Sequence, residues 1–175
     1  MSDRDDLLQL IKDLGIVHGK VTLSSGIEAD YYVDLRRVTL HRSAAPLVGR
    51  LLRSLTTDWS YDAVGGLTLG ADPVVCAVLH AADGAVDGFL VRKAQKAHGM
   101  QQQIEGPSVA GRRVLIVEDV STTGSSPLTA ARAAEEAGAT VVGVAMIGDR
   151  GGKAAIEAAG YPCLCLYTLA DLGLE

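Results

Sequence analysis

The sequence predicts an α/β protein with a twisted, mainly parallel sheet flanked by helices. Of its 175 residues, 48% are hydrophobic but only 4% are aromatic. The core must therefore be built from Val, Leu, Ile and Ala, as in parallel strands that are buried on both faces. From about residue 62, short apolar runs alternate with helical stretches, which is typical of a doubly wound sheet. The length suits a single domain, residues 1–175.

The first 57 or so residues predict a small N-terminal subdomain beside the sheet. Apolar residues recur at helical spacing between residues 7 and 14, with Ser2 or Asp3 as the N-cap and Gly15 at the end of the run. Two β-rich runs then flank a turn that contains Ser and Gly, which predicts a hairpin. The predicted hairpin strands are 21–23 and 31–35, and a second amphipathic helix is predicted at 43–56.

The remaining residues, about 58–175, predict the core. Pro73 and Pro127 suit the first position of a helix, and Gly138 and Gly160 suit helix ends. In such folds the ligands bind at the carboxyl ends of the strands. The predicted strands are 62–66, 86–91, 113–118, 140–147 and 162–166, and the predicted helices are 72–81, 127–137 and 153–159.

Charge and hydropathy exclude several functional classes. The net charge is −5, which argues against nucleic acid or an anionic membrane as the main partner. The N-terminus is charged, and the chain contains no run of about 18 apolar residues. We therefore expect a cytoplasmic protein with no membrane partner.

The segment 114–127 carries the clearest chemical signal. Four aliphatic residues lead to Glu118 and Asp119, and a hydroxyl-rich run with Gly124 follows before a helix start. A helix N-terminus binds phosphate well because its amide groups are unpaired and its dipole is positive there. The two acids would repel phosphate, so they suit sugar hydroxyls or a magnesium ion. The alternative is an ordinary strand-to-helix turn that is capped by a hydroxyl.

A basic segment follows the strand predicted at 86–91. Arg92, Lys93, Lys96 and His98 fall within seven residues, and three glutamines follow at 101–103. These cations could neutralise a leaving pyrophosphate, and His98 could donate a proton to it. The alternative is a solvated lysine-rich loop.

These segments resemble a known family. The run 114–127 resembles the PRPP-binding signature of type I phosphoribosyltransferases, and RKAQKAHG at 92–99 resembles the catalytic loop of orotate phosphoribosyltransferases. Further similarity lies at 23–32 (base-binding segment), 65–72 (pyrophosphate loop) and 148–152 (a segment whose Arg contacts orotate). The resemblance covers almost the whole chain.

The resemblance implies transfer of the phosphoribosyl group of PRPP to orotate, with Mg²⁺ as the cofactor, and the fold of a type I phosphoribosyltransferase with an N-terminal hood. It also implies a homodimer that shares the loop 92–106 between subunits. The ion would be held mostly by substrate and water, with no dedicated protein ligand. The implied catalytic residues are Lys93, Lys96, His98 and Asp119; the PRPP-binding residues are Arg92, Lys93, Lys96, His98, Glu118, Asp119, Val120, Ser121, Thr122, Thr123, Gly124, Ser125 and Ser126; and the orotate-binding residues are Thr122, Arg150, Tyr31 and Tyr32.

Four residues depart from the family pattern. Ser24 stands where family members often have Lys, Ile27 where they have a basic residue, and Thr68-Leu69 where they have Tyr-Lys. Each departure removes a cation or a donor from the expected contacts. Two other functions stay open: a non-catalytic module that senses PRPP, and a phosphoribosyltransferase for another base.

Overall fold

The computed structural model describes residues 2–22, 26, 28–93 and 103–174. The helices are α1 (Asp3–Leu10, continued by a π-helical turn at Ile11–Gly15), α2 (Arg36–Thr39), α3 (Ala44–Leu55), α4 (Asp72–Ala81), α5 (Ser125–Glu136), α6 (Gly152–Ala158) and α7 (Leu169–Leu172). The strands are β1 (Ile16–Thr22), β2 (Glu28–Val33), β3 (Ala63–Leu67), β4 (Asp87–Val91), β5 (Ile104–Glu105), β6 (Arg113–Ser121), β7 (Thr140–Asp149) and β8 (Cys163–Tyr167).

The N-terminal elements confirm the predicted helix, hairpin and second helix. Ser2 is the N-cap of α1 and forms a capping box with Asp5. Strands β1 and β2 pair antiparallel, but β1 already begins at Ile16 and β2 ends at Val33. The predicted strand 31–35 was therefore too long at its end, because the chain turns at Asp34 and enters the short helix α2.

A six-stranded sheet in the order β5-β4-β3-β6-β7-β8 confirms the mainly parallel α/β fold. Its strands pair parallel except for the two-residue β5, which pairs antiparallel with β4. Strands β6 and β7 run past the predicted ends at 118 and 147. They continue because Ser121 still pairs with Asp149, so the polar residues at the carboxyl edge remain in the sheet.

Both faces of the sheet are covered. On β6, Leu115 and Val117 pack into the cluster that includes residues of α1, α3 and α4, whereas Val114 and Ile116 pack against α5. All four side chains are fully buried. Because successive side chains of β6 point to opposite, covered faces, only residues at its end remain available for a ligand.

The helix boundaries follow the predicted proline and glycine positions with one shift. Helix α4 occupies the predicted range with Pro73 as its second residue, and α5 begins two residues before Pro127, at Ser125. Gly138 and Gly160 follow α5 and α6 with positive φ, as expected of helix stops. No helix in the described part of the chain is long and apolar enough to cross a membrane.

Candidate active site

A cavity of about 270 Å³ opens at the carboxyl ends of β3, β4 and β6. Four segments that are distant in sequence meet there. They are the end of β2 with the turn into α2, the β3–α4 turn, Lys93 shortly after β4, and residues 118–126, which run from the end of β6 into the first turn of α5 and are called the β6–α5 loop below. The polar lining residues of the cavity are Tyr32, Asp34, Arg36, Thr68, Lys93, Glu118, Asp119 and Ser126.

The β6–α5 loop holds itself in place through short-range hydrogen bonds. The Val120 amide donates to Asp119 Oδ1 at 2.7 Å, and the Gly124 amide donates to Ser121 Oγ at 2.9 Å. The Asp119 amide donates to Glu118 Oε1 at 3.0 Å. The shape of the loop is therefore set before any ligand binds, as a preorganised site requires.

Gly124 is the N-cap of α5 and has φ +77°. A side chain there would be strained by this backbone conformation and would meet Gly152 O and Ile156. Gly124 also has no side chain that can accept hydrogen bonds from the first turn of α5. This leaves the start of a 12-residue helix suited to an anion.

Glu118 and Asp119 form a buried acidic pair at the end of β6. Their exposed fractions are only 4% and 9%. Burial, the hydrogen bond with Asp119 and the nearby Asp119 and Asp72 charges together raise the pKa of Glu118 well above its ordinary range. A protonated Glu118 can donate a hydrogen bond while Asp119 accepts one, which suits a pair of sugar hydroxyls.

The β3–α4 turn approaches this acidic pair closely. A Cβ atom added to Gly70 would lie 3.0 Å from Asp119 Oδ1, so only glycine leaves that carboxylate room. Thr68 donates through its hydroxyl to Asp72 at 2.9 Å, and the Thr68–Leu69 peptide bond is cis. Thr68 and Gly70 both line the cavity.

Only part of the basic segment lies in the described chain. Lys93 lines the cavity. Arg92 does not; its guanidinium donates to Glu105 at 3.3 Å, and its backbone pairs with Gln103. Lys96 and His98 lie outside the described residues, as do Ser24 and Ile27.

Arg150 and Tyr31 lie beside each other but do not line this cavity. The Arg150 guanidinium is 5.6 Å from the centre of the Tyr31 ring, and the Tyr31 hydroxyl donates to the backbone oxygen of Leu174 at 3.4 Å. The Arg150 amide donates to Ser121 O at 2.9 Å, which ties this pair to the β6–α5 loop. Tyr32, in contrast, lines the cavity.

Within the β6–α5 loop, the predicted residues divide by position. Val120 and Ser126 line the cavity with the acidic pair. Ser121 is buried and accepts the Gly124 amide, whereas Thr122, Thr123 and Ser125 are exposed.

Asp34 and Arg36 also line the cavity, although no motif in the sequence pointed to them. They were assigned to a strand end and to no function, because YYVDLRR reads as a strand followed by ordinary surface charges. The available signal was an acid and a base two residues apart directly after a strand.

An apolar groove of about 850 Å³ adjoins the cavity, and Arg36 and Leu69 line both. The groove runs between α2, the start of α3 and α4. Leu40 and Leu69 on its lining are 73% and 62% exposed, which is unusual for large aliphatic side chains.

The family model for the phosphoribosyl transferase domain matches residues 38–161. The orotate phosphoribosyltransferase of Streptomyces avermitilis is 63% identical over 178 residues, covering 98% of each chain, and that of Mycobacterium avium is 59% identical over 172 residues, covering 97% of this chain and 96% of the relative. Among solved structures, the orotate phosphoribosyltransferase of Mycobacterium tuberculosis in complex with PRPP superposes with a TM-score of 0.88 at 52% identity, covering 99% of this chain and all of that one.

Proposed function

Because this chain belongs to the phosphoribosyltransferase family, and within it to the orotate phosphoribosyltransferases, we propose that it transfers the phosphoribosyl group of PRPP to N1 of orotate. The products are orotidine 5'-phosphate and pyrophosphate, and the reaction is a step of pyrimidine biosynthesis. Identity of about 60% over almost the whole length of curated relatives carries this assignment. The chain is accordingly a glycosyltransferase.

The phosphoribosyl group binds at the end of β6. Glu118 and Asp119 hold the ribose hydroxyls, and residues 120–126 hold the 5'-phosphate with backbone amides and hydroxyls. The buried acidic pair next to a helix start without a side-chain cap is the geometric observation that supports this assignment. This arrangement holds the negative phosphate at the helix start and apart from the two acids, which would repel it.

The leaving pyrophosphate is stabilised by cations. Bond breaking at the anomeric carbon gives an oxocarbenium-like ribosyl group, so the barrier depends on how well the departing negative charge is neutralised. That Lys93 lines the cavity supports this role for it. Arg92, Lys96 and His98 are its proposed partners, with His98 as the proton donor.

Magnesium enters this scheme with the substrate. In the described part of the chain, no group of three or more His, Cys, Asp or Glu side chains is arranged to hold a metal ion. Mg²⁺ retains water and prefers phosphate oxygens over an all-protein cage. We therefore assign it to the PRPP complex rather than to a resident site.

Orotate binds next to the β6–α5 loop. Arg150 pairs with its carboxylate, and Thr122 contributes a hydroxyl. Tyr31 and Tyr32 are consecutive residues of β2 and point to opposite faces, so one of them stacks on the base while the other packs. The contact of Arg150 with Tyr31 supports a shared role for these two residues. A carboxylated base is the substrate feature that an arginine at this position recognises.

The proposed unit is a cytoplasmic homodimer, in which residues 1–57 form a hood and segment 92–106 of one subunit completes the site of the other. The apolar groove supports this assembly because it exposes Leu40 and Leu69 directly beside the substrate cavity. A second copy that covered the groove would bury these side chains. It would also bring its own residues next to the cavity, as a shared loop requires.

The activity is tested by following the ultraviolet absorbance of orotate in the presence of PRPP and Mg²⁺. We expect orotate to be consumed by the unmodified chain and consumption to be lost in Lys96→Ala. PRPP binding without any consumption of orotate would contradict the assignment. Turnover of another base would then indicate a different phosphoribosyltransferase, and no turnover would indicate a PRPP-sensing module.

The shared loop is tested by mixing two inactive variants, Lys96→Ala and Asp119→Ala. If the loop acts across subunits, half of the mixed dimers' sites are intact, and about a quarter of the full activity should return. Exchange of subunits is checked by sedimentation of differently labelled variants. Exchange without any recovery of activity would contradict the shared loop.

A further inference from the structure

Arg36 lines the substrate cavity, yet it lies outside every segment that the family resemblance selects. It is the first residue of α2 and sits on the same lining as Gly70 and Asp119. Its side chain is 44% exposed, so the guanidinium is accessible to a ligand. A solvated surface arginine would have no fixed geometry, whereas Arg36 does.

Asp34 fixes one side of Arg36. A single oxygen, Asp34 Oδ1, accepts both the Arg36 Nε–H at 3.0 Å and the Arg36 backbone amide at 3.2 Å. Among the described residues, neither terminal nitrogen of Arg36 has a hydrogen-bond partner. An arginine that is held through Nε keeps its two terminal nitrogens as a planar fork, which is the geometry that phosphate oxygens accept.

The acidic residues on the cavity wall make a cation such as Arg36 necessary for binding an anion. Asp34, Glu118 and Asp119 line the cavity, and the cations on its described lining are Arg36 and Lys93. The hydrogen bond and charge of Asp34 raise the pKa of Arg36, and the Asp119 charge adds to this effect. A polyanionic substrate needs these two cations, because without them it would face the carboxyl groups of Asp34 and Asp119.

The neighbour of Arg36 indicates which part of PRPP it meets. Arg36 and Leu69 line the cavity together, and Leu69 lies in the β3–α4 turn. The ribose hydroxyls and the 5'-phosphate are assigned to the β6–α5 loop. The pyrophosphate is then left for the β3–α4 side, where Arg36 and Lys93 stand.

We propose that Arg36 binds the pyrophosphate group of PRPP through its terminal nitrogens, with Asp34 as its positioning residue. This inference rests on the proposed function. It adds a cation from α2 to those of the basic segment 92–106. It also places part of the pyrophosphate subsite on helix α2 rather than on segment 92–106.

The test uses Arg36→Ala and Arg36→Lys, with Arg37→Ala as the matched control. Arg37 is the next residue on α2, is exposed, and does not line the cavity. The dissociation constant of inorganic pyrophosphate with Mg²⁺ is measured by calorimetry, and KM is measured separately for PRPP and orotate. Melting temperatures of all variants show that each protein is folded.

We expect Arg36→Ala to weaken pyrophosphate binding and raise KM for PRPP by about 10- to 100-fold, the usual effect of losing a charged hydrogen-bonding pair. KM for orotate should stay within about twofold, and Arg36→Lys should recover part of the loss because it keeps the charge without the fork. Asp34→Asn should give an intermediate loss with the same selectivity for pyrophosphate over orotate.

Pyrophosphate affinity in Arg36→Ala equal to that in Arg37→Ala would overturn the proposal. So would a rise in KM for orotate with KM for PRPP unchanged, because that pattern would place Arg36 on the base. If the unmodified chain does not turn over orotate, the proposed function fails, and the pyrophosphate titration still decides the role of Arg36.

Discussion

The two halves of the proposed site, one for the phosphoribosyl group and one for the base, are held in different ways. In the proposed phosphoribosyl half, residues 118–126, the side chains bond to amides no more than three residues away, while the backbone of β6, to which its first four residues belong, pairs with β7. The base half is fixed by contacts between distant segments, since Tyr31 meets Arg150 and reaches the backbone of Leu174, 143 residues away. The side chains of the first half are therefore held by the β6 end and the turn that follows it, whereas those of the second half depend on contacts between segments that are far apart in the chain.

This difference predicts how the halves respond to mutation. A change in the base half should affect orotate and leave PRPP binding intact, because the β6–α5 loop does not need Arg150 or Tyr31 side chains for its shape. The connection between the halves is a backbone hydrogen bond from Arg150 to Ser121. Side-chain substitutions at Arg150 retain that bond.

Arg150→Ala should give the largest difference between the effects on orotate binding and on PRPP binding. We expect KM for orotate to rise about 100-fold, as for the loss of one buried arginine–carboxylate pair of about 3 kcal/mol. KM for PRPP should change by less than about threefold. Arg132→Ala is the control, since Arg132 is an exposed arginine on α5. An equal rise in both KM values would remove the distinction.

Tyr31→Leu should have a smaller effect in the same direction. It removes the ring that lies 5.6 Å from the Arg150 guanidinium and the hydrogen bond to Leu174. A cation–π contact at a partly exposed site contributes about 0.5–1 kcal/mol, so KM for orotate should rise about two- to fivefold. Tyr31→Phe keeps the ring and should stay close to the unmodified protein. Steady-state kinetics of both variants checks this, and an equal loss in Tyr31→Phe would contradict the role of the ring.

Glu118→Gln tests the phosphoribosyl half through its effect on the stability of the folded protein. The pKa of Glu118 is raised in the folded state, so folding disfavours its ionised form. Its contribution to stability is complete below the unfolded pKa of about 4.5 and is lost as the pH rises towards the folded pKa. Gln cannot ionise, so the variant should be more stable than the unmodified protein at pH 8 by about 1–2 kcal/mol and equally stable near pH 4.5.

Denaturant unfolding without substrate at the two pH values measures this difference. Glu136→Gln on the exposed end of α5 is the control and should show no such dependence on pH. A Glu118→Gln variant that is less stable than the unmodified protein at pH 8 would show that the buried carboxyl is not under strain from its acidic surroundings.

The same contrast explains what the sequence could predict. The β6–α5 loop was predicted with its acids, hydroxyls and glycine because consecutive residues form it. The parallel strands, including the buried β6, were predicted because apolar runs mark them, whereas the two-residue β5 and the first part of β1 were not. The strand end at Val33 was misplaced, since YYVDL continues the β-like pattern and the turn at Asp34 depends on its hydrogen bonds to Arg36. The place of Arg36 on the cavity wall required the packing of α2 beside the β3–α4 turn, which no local pattern encodes.

The most direct test of two separately held halves is the binding of orotidine 5'-phosphate, which occupies both. Calorimetry should give its dissociation constant for the unmodified protein, Asp119→Asn, Arg150→Ala and the double variant. Our account predicts that the two losses of binding free energy add to within about 0.5 kcal/mol in the double variant. A double variant that binds no more weakly than the weaker single variant would contradict it, because the two halves would then act as one unit.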